Sequence, residues 1–251
     1  MKKQSNKKRK NTEMLWYVVI ILLFLGLGAY SMANASENPQ YDMIFVSWEM
    51  LLKAFFSTIY ISVLTLIGAL VLGFALFVMM RSKIAPIKVC ANVFNEVIMG
   101  TPLLVMIFVV VYVFGASYSG SKLTLGIIAL ILYNAPYIAN AYESTSAVVD
   151  SEQYIVMDLY NFKWYQRYYY IILPQMIKPF IPSLINNLSS VIKGSALLNI
   201  VAVHEITYIV TVIASRNFAF IEGYYTMWLL YLIITIPLSL LAKYIAKRVA
   251  V

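Results

Sequence analysis

Long apolar runs separated by short polar and charged segments are the main feature of the chain. Such runs lie at about residues 15–32, 48–80, 89–115, 122–143 and 223–246, and a further apolar region begins at Pro174. A helix needs about 20 mostly apolar residues to cross a bilayer, whereas a barrel strand shows about 10 in alternation. The pattern therefore predicts an all-α integral membrane protein with six transmembrane helices.

Composition agrees with this prediction and excludes several classes of protein. Of the 251 residues, 62% are hydrophobic and only 12% are charged. One cysteine, Cys90, and one histidine, His204, exclude an internal disulfide and leave no cluster of metal ligands. No G-x-x-x-x-G-K-[ST] loop occurs that would bind nucleotide phosphates, and no Ser/His/Asp or Cys/His set predicts a hydrolase. We therefore expect no catalytic residue, no metal and no cofactor bound by this chain.

The net charge of +8 is a topology signal and does not indicate a nucleic-acid partner. Six of the nineteen basic residues stand in the first ten positions, directly before the first apolar run. Basic flanks stay in the cytoplasm, and the next loop, ANASENPQYD, contains no lysine or arginine. Alternating crossings then predict a multi-pass protein of the cell membrane with a cytoplasmic C-terminus.

The first apolar run has two interpretations, which both remain open here. It is either an uncleaved anchor helix or a secretory signal peptide, because the triplet Ala33-Asn34-Ala35 fits a cleavage site. In both cases residues 1–45 form a unit apart from the membrane domain at 46–247. All later helices keep the same orientation.

Four stretches resemble the inner-membrane permease subunits of bacterial ABC importers, most closely those for polar amino acids. In NEVIMGTPLLVMIF, Glu96 and Gly100-Thr101-Pro102 match the family pattern, with Met99 in place of the usual arginine. In APYIANAYESTSAVVDSEQY, Asn140 stands in the usual glutamate position and Glu143 in the usual arginine position. The third stretch is SSVIKGSALLNIVAVHEIT, which is similar to the family's LLKDTSL…GVPEL and keeps Lys193, Ser195 and Glu205.

The fourth stretch, DLYNFKWYQRYYYIILPQ, lies where the family has its cytoplasmic EAA loop. Asn161 occupies the position of the loop glycine and precedes Pro174 by thirteen residues, as in the family. The Glu-Ala-Ala triplet itself falls on Ile155-Val156-Met157, so the acidic start of the loop is lost. Asparagine adopts positive φ more readily than other non-glycine residues, and the helix-turn-helix of the family therefore remains possible.

The resemblance implies a type I ABC transmembrane domain, with a five-helix core and a coupling helix at about residues 150–173. It implies three protein partners besides the lipid bilayer: an ATP-binding cassette subunit that holds ATP-Mg, an extracellular solute-binding protein, and a second permease chain, identical or paralogous. The residues expected to couple to the ATPase are Asp158, Asn161, Phe162, Lys163, Trp164, Tyr165, Arg167 and Pro174. The polar residues expected to line the substrate pathway are Glu96, Thr101, Asn140, Lys193, Ser195 and Glu205, and Asn186, Asn187 and Asn199 are further candidates on the fifth apolar region.

Other interpretations remain open at this point. Polar side chains within spans also join helices by hydrogen bonds, and an aromatic segment also forms an interfacial belt. A secondary transporter or channel that works without ATP, or a permease-like scaffold, would have the same composition. We expect import of a polar amino acid or a similar small zwitterion, driven by ATP hydrolysis on a separate subunit.

Overall fold

This computed structural model describes residues 40–117 and 120–249, together with ten helical positions between residues 16 and 31. Every regular element in that part of the chain is a helix, as the sequence predicts. The α-helices are α1 (Tyr41–Phe45), α2 (Trp48–Met80), α3 (Ala85–Met99), α4 (Leu103–Phe108), α5 (Lys122–Ser146), α6 (Ser151–Leu159), α7 (Trp164–Gln166), α8 (Leu173–Ser195), α9 (Ile206–Asn217) and α10 (Phe220–Val249). Helical turns of other types extend α4 (Val109–Val113 and Phe114–Ser117), join α7 to α8 (Arg167–Ile172) and follow α8 (Ala196–Val201).

Four of these helical stretches are long and apolar enough to cross a membrane. They are Trp48–Met80, Lys122–Ser146, Trp164–Val201 and Phe220–Arg248. The predicted span at 89–115 is instead a pair of helices, Ala85–Met99 and Leu103–Ser117. The chain bends by 108° at the break between them. The described part of the chain thus holds four or five candidate spans. Ten positions of the predicted first span are described and all of them are helical, whereas the Ala33-Asn34-Ala35 site lies outside the described residues.

Proline explains two departures from the predicted boundaries. Pro102 has no amide hydrogen to continue α3, and it stands as the extended residue before α4, so the chain turns there. Pro174 lies in the first turn of α8, but helix already begins at Trp164 and passes through the π-helical turn Arg167–Ile172. Such a turn accommodates a residue that cannot join the regular hydrogen-bond ladder. The aromatic segment is therefore continuous with the fifth apolar region.

Helix α2 packs closely against α5 along a face of small residues. Thr58, Ser62, Thr65 and Ala69 of α2 are buried, and Ala69 lies in the same buried cluster as Ile138 of α5. A Cβ atom at Gly73 would lie 2.7 Å from Cγ2 of Ile138 and 2.9 Å from the carbonyl oxygen of Ala135. Small residues at such positions let helices approach within a bilayer, where lipid removes the usual hydrophobic drive between helices.

Among the residues that the structure describes, three that are not glycine adopt the left-handed conformation: Asn161 (φ 53°), Ala202 (φ 60°) and Phe218 (φ 54°). The value at Asn161 confirms the prediction that this residue can replace the loop glycine. Ala202 follows the Ala196–Val201 turn, at the position of the glycine in the family's GVPEL pattern. An alanine there carries steric strain that a glycine would not.

We expect Gly73→Ala to destabilise the protein, because neither Ile138 nor the backbone of Ala135 can move away from the added methyl group. Overpacking of this kind costs about 1 to 3 kcal/mol. The matched variant is Gly28→Ala, whose Cβ would meet no atom of the described residues within 4 Å. Thermal unfolding in detergent measures both variants. A midpoint that rises equally in both would contradict the close approach of α2 and α5.

We expect Ala202→Gly to raise the thermal midpoint, because glycine removes a left-handed strain of about 1 kcal/mol. Ala196 has ordinary helical angles (φ −53°, ψ −31°), so Ala196→Gly is the matched control. Glycine at that position only loses helix propensity and should lower the midpoint. Equal effects of the two substitutions would show that Ala202 is not strained.

Candidate functional site

The first candidate site is the turn segment, which we define as residues 150–173. Asp150 caps α6 by accepting a hydrogen bond from the amide of Glu152 at 3.1 Å. Beyond α6, the left-handed Asn161 reverses the chain, and the amide of Phe162 donates to the carbonyl of Met157 at 2.9 Å. This hydrogen bond satisfies a carbonyl at the end of α6. The segment is thus a defined helix-turn-helix.

Arg167 stabilises the turn through contacts with residues on its other side. Its Nη2 lies 2.6 Å from Oδ1 of Asp158, and its Nε donates to the carbonyl of Phe162 at 2.9 Å. Hydrogen bonding to Arg167, and its positive charge, lower the pKa of the Asp158 carboxyl below its ordinary value. Two of the predicted coupling residues therefore pair with each other, and their first role is to fix the shape of the turn.

The exposed apolar side chains of the turn segment are partly different from those expected. Trp164 is 64% exposed and Tyr165 is also exposed, as the predicted coupling role needs. Phe162 is half-buried and packs against the cluster that contains Met157 and Ile172. Leu159 and Tyr160, which were not among the predicted residues, are 76% and 77% exposed. We call these two residues, with Trp164 and Tyr165, the apolar surface of the turn segment; Ile155, Val156, Tyr169 and Tyr170 are further exposed apolar side chains of the segment.

Two predicted coupling residues, Lys163 and Pro174, lie at the beginnings of helices. The amide of Lys163 donates to Oε1 of Gln166 at 2.8 Å and so begins α7. Pro174 is exposed in the first turn of α8. A groove of about 490 Å³ runs beside α6, lined by Val156, Met157, Tyr160, Phe162, Ile171 and the polar Glu152 and Gln153.

The second candidate site is a polar cavity between α8 and α10, with a volume of about 340 Å³. Lys193 lines it together with neutral polar side chains from both helices. The lining residues are Asn186, Ser189, Ser190, Lys193, Thr235, Ile236 and Ser239. A lysine among hydroxyl and amide groups on a membrane helix is a candidate for binding the carboxylate of a solute, because a charged side chain within a span is costly and is commonly functional.

A second polar cavity of about 310 Å³ lies next to the first, since Ser190 lines both. Helices α4, α5 and α8 contribute its walls. The other lining residues are Leu103, Tyr133, Asn134, Tyr137, Asn187 and Gly194. The hydroxyls of Tyr133 and Tyr137 are 3.4 Å apart, and Asn134 donates to the carbonyl of Leu130 at 2.7 Å. Together the cavities flank the C-terminal half of α8, and their polar lining consists of uncharged groups and one cation.

Two predicted pathway residues are buried and fully engaged with the protein. Ser195 donates to the carbonyl of Ile192 at 2.8 Å within its own helix. The carboxylate of Glu205 caps α9, accepting from the amides of Thr207 (2.9 Å) and Tyr208 (2.8 Å) and from the hydroxyl of Tyr231 (2.9 Å). Glu205 is 0% exposed. Its position favours the structural interpretation, in which a polar side chain joins α9 to α10.

The remaining predicted pathway residues do not line the two cavities. Thr101 donates to the carbonyl of Val97 at 2.7 Å, and Asn140 lies 3.5 Å from the sulfur of Met99. Glu96 is exposed on α3. Lys193, Asn186 and Asn187 are thus the predicted pathway residues that line the two cavities. Asn134, Thr235 and Ser239 were missed, although a polar residue within an apolar run is the signal that would have identified them.

The sequence profile of one family, described as "Binding-protein-dependent transport system inner membrane component", matches residues 72–251. The "Probable glutamine ABC transporter permease protein GlnM" of Bacillus subtilis is 32% identical over 210 residues, which cover 82% of this chain and 96% of that protein. The "L-cystine transport system permease protein TcyB" of Bacillus subtilis is 27% identical over 207 residues, covering 80% and 87%.

The fold is also that of a solved structure titled "Crystal structure of an amino acid ABC transporter with histidines". The TM-score is 0.74 at 24% sequence identity, and the match covers 84% of this chain and 99% of the other. The family profile covers more than half of the chain, and the relative from Bacillus subtilis matches along nearly its whole length. This chain therefore belongs to the family of inner-membrane permease components of binding-protein-dependent transport systems.

Proposed function

We propose that this chain is the permease subunit of an ABC importer that moves a polar amino acid or a similar zwitterion into the cell. The observation that carries the proposal is the turn segment, a helix-turn-helix with an exposed apolar surface next to the candidate spans. Relatives named for glutamine and L-cystine transport support the class of solute. The proposed topology has six transmembrane helices, with both termini and the turn segment in the cytoplasm.

The apolar surface of the turn segment is the proposed contact for a separate ATP-binding subunit, which holds ATP-Mg. Aromatic side chains are enriched at the centre of protein interfaces, and Tyr160, Trp164 and Tyr165 project such rings. Arg167 and Asp158 keep the turn rigid beneath them. Closure of the ATP-binding subunits then moves the turn segment, and this movement opens the pathway to one side at a time.

The two polar cavities beside α8 are the proposed solute pathway. Lys193 binds the carboxylate of the solute, and the amide and hydroxyl groups of Asn186, Ser190 and Thr235 offer neutral hydrogen-bond partners. A second permease chain, identical or paralogous, completes the pathway. An extracellular solute-binding protein delivers the solute to it.

We expect the double variant Leu159→Asp, Trp164→Asp to lose the ATP-binding subunit. Both side chains are exposed, so the charges should spare the fold while opposing an apolar contact. Affinity purification of the tagged chain from native membranes in mild detergent, followed by mass spectrometry, measures retention of the ATPase.

The control is Phe218→Asp, which places the same charge on a residue that is 86% exposed in the turn between α9 and α10. This variant should retain the ATPase. If wild type and the double variant retain the ATPase equally, the contact does not lie on the turn segment.

We expect Lys193→Met to raise the KM for uptake by about tenfold or more, because a charge-assisted hydrogen bond to the solute carboxylate is lost. Initial uptake rates in proteoliposomes with ATP inside and the solute-binding protein outside measure it, using labelled L-glutamine and L-cystine. Lys178→Met is the control, since Lys178 is an exposed lysine on the same helix. An unchanged KM in Lys193→Met would remove Lys193 from the pathway.

A further inference from the structure

Arg81, which directly follows α2, contacts both α5 and α6. Its Nε and Nη2 bind the two carboxylate oxygens of Glu143 at 3.0 and 3.1 Å. Nη2 also donates to the hydroxyl of Ser146 at 2.7 Å, and Nη1 donates to the hydroxyl of Tyr154 at 3.2 Å. One guanidinium therefore joins the ends of α2 and α5 to the first turn of α6.

The planar guanidinium is suited to this arrangement. Its five N–H groups point in fixed directions, so a two-oxygen contact with Glu143 also sets the direction of the bond to Tyr154. The guanidinium carbon lies 4.9 Å from the centre of the Phe77 ring, which is fully buried. Arginine over an aromatic face is a favourable contact. These contacts leave Arg81 little freedom to move independently of α2.

Stacked rings continue this link from Arg81 toward α8. The rings of Phe77 and Tyr142 are stacked with centres 5.7 Å apart. Tyr142 in turn stacks on Phe180 of α8, with centres 4.4 Å apart and planes within 10°. The same helix α8 bears Lys193 and the polar cavities further along. Arg81 is therefore connected to α5 through an ion pair and to α8 through packed rings.

A second contact ties α6 to the beginning of α8. The side-chain amides of Gln153 and Gln175 form a pair, with Nε2 of Gln175 donating to Oε1 of Gln153 at 2.8 Å. Gln153 of α6 thus contacts α8. The next residue, Tyr154, contacts Arg81 at the end of α2. Met157 anchors α6 in the buried cluster. Helix α6 is consequently attached on one face and exposed on the other.

We propose that Arg81 is a positioning residue that transmits movement of α6 to the pathway helices, with Tyr154 as its contact on α6 and Glu143 as its anchor on α5. The inference rests on the proposed function, because it concerns movement that a bound ATPase imposes. It also gives a physical role to Glu143, which stands where the family pattern has arginine: in this chain the carboxylate orients the guanidinium of Arg81. The Arg81–Glu143 ion pair is partly exposed, so it contributes little to the free energy of folding. Its role is to orient the guanidinium.

The most selective test is Tyr154→Phe, which removes one hydroxyl and leaves the Arg81–Glu143 pair intact. The complex is purified through a tag on this chain and reconstituted into proteoliposomes, with the solute-binding protein added outside. ATP hydrolysis and the uptake of a ¹⁴C-labelled mixture of amino acids are measured in the same preparation. We expect an unchanged hydrolysis rate and about a tenfold fall in solute moved per ATP, as for loss of one hydrogen bond to a charged group.

The matched control is Tyr169→Phe, in an exposed ring of the same region, which should keep the wild-type ratio. An unchanged ratio in Tyr154→Phe would overturn the proposal. A fall of hydrolysis and uptake in equal proportion would also overturn it, since that result indicates only a structural role. Absence of an ATPase from the wild-type complex is a different result, which would overturn the proposed function and this inference with it.

A second measurement needs no partner and no solute. Hydrogen exchange of the purified chain should show faster exchange in α6 of Tyr154→Phe and Arg81→Gln, with α5 unchanged in Tyr154→Phe. The charge exchange Arg81→Glu with Glu143→Arg should protect α6 better than Glu143→Arg alone, which places two like charges together. Equal protection of α6 in wild type and Tyr154→Phe would show that Arg81 does not hold this helix.

Discussion

The close packing of α2 against α5 is the constraint on which the other helices depend. Within a bilayer, apolar side chains gain little by meeting each other instead of lipid, so packing must come from shape and from hydrogen bonds. Gly73 admits the backbone of α5, and the buried Thr58 of α2 accepts a hydrogen bond from the amide of Ile206 at 3.1 Å. Helix α2 thereby fixes both α5 and the beginning of α9. The position of Arg81, at its far end, follows from the same contacts.

The polar groups in and beside the candidate spans divide into two kinds, which explains why composition alone does not identify a pathway. Glu205 has its acceptors filled by two amides and a tyrosine hydroxyl, so it stabilises the junction of α9 and α10. Lys193 instead lines an open polar cavity among hydroxyls and amides. A charge within a span is costly unless it has hydrogen-bond partners. A carboxylate such as Glu205, whose partners all lie in the protein, therefore indicates a structural role, whereas a cation that lines a cavity indicates a binding role.

The sequence was sufficient for the helical class, for most candidate spans, for the family and for the left-handed turn at Asn161, because apolar length and special backbone angles are local properties. It was not sufficient for the 108° bend at Gly100-Thr101-Pro102 or for the helix that begins before Pro174. It also could not separate Glu205 from Lys193, or show that Phe162 packs inward while Leu159 and Tyr160 face outward. Those features depend on contacts between residues far apart in the chain.

ATP-driven uptake by the reconstituted complex tests the central claim most directly. Proteoliposomes containing the complex and its solute-binding protein would be loaded with ATP-Mg or with a non-hydrolysable analogue, and uptake of labelled amino acids would be followed with and without a proton ionophore. The account predicts uptake that requires hydrolysable ATP and is unaffected by the ionophore. Uptake that proceeds without ATP and is abolished by the ionophore would contradict it and would indicate a secondary transporter.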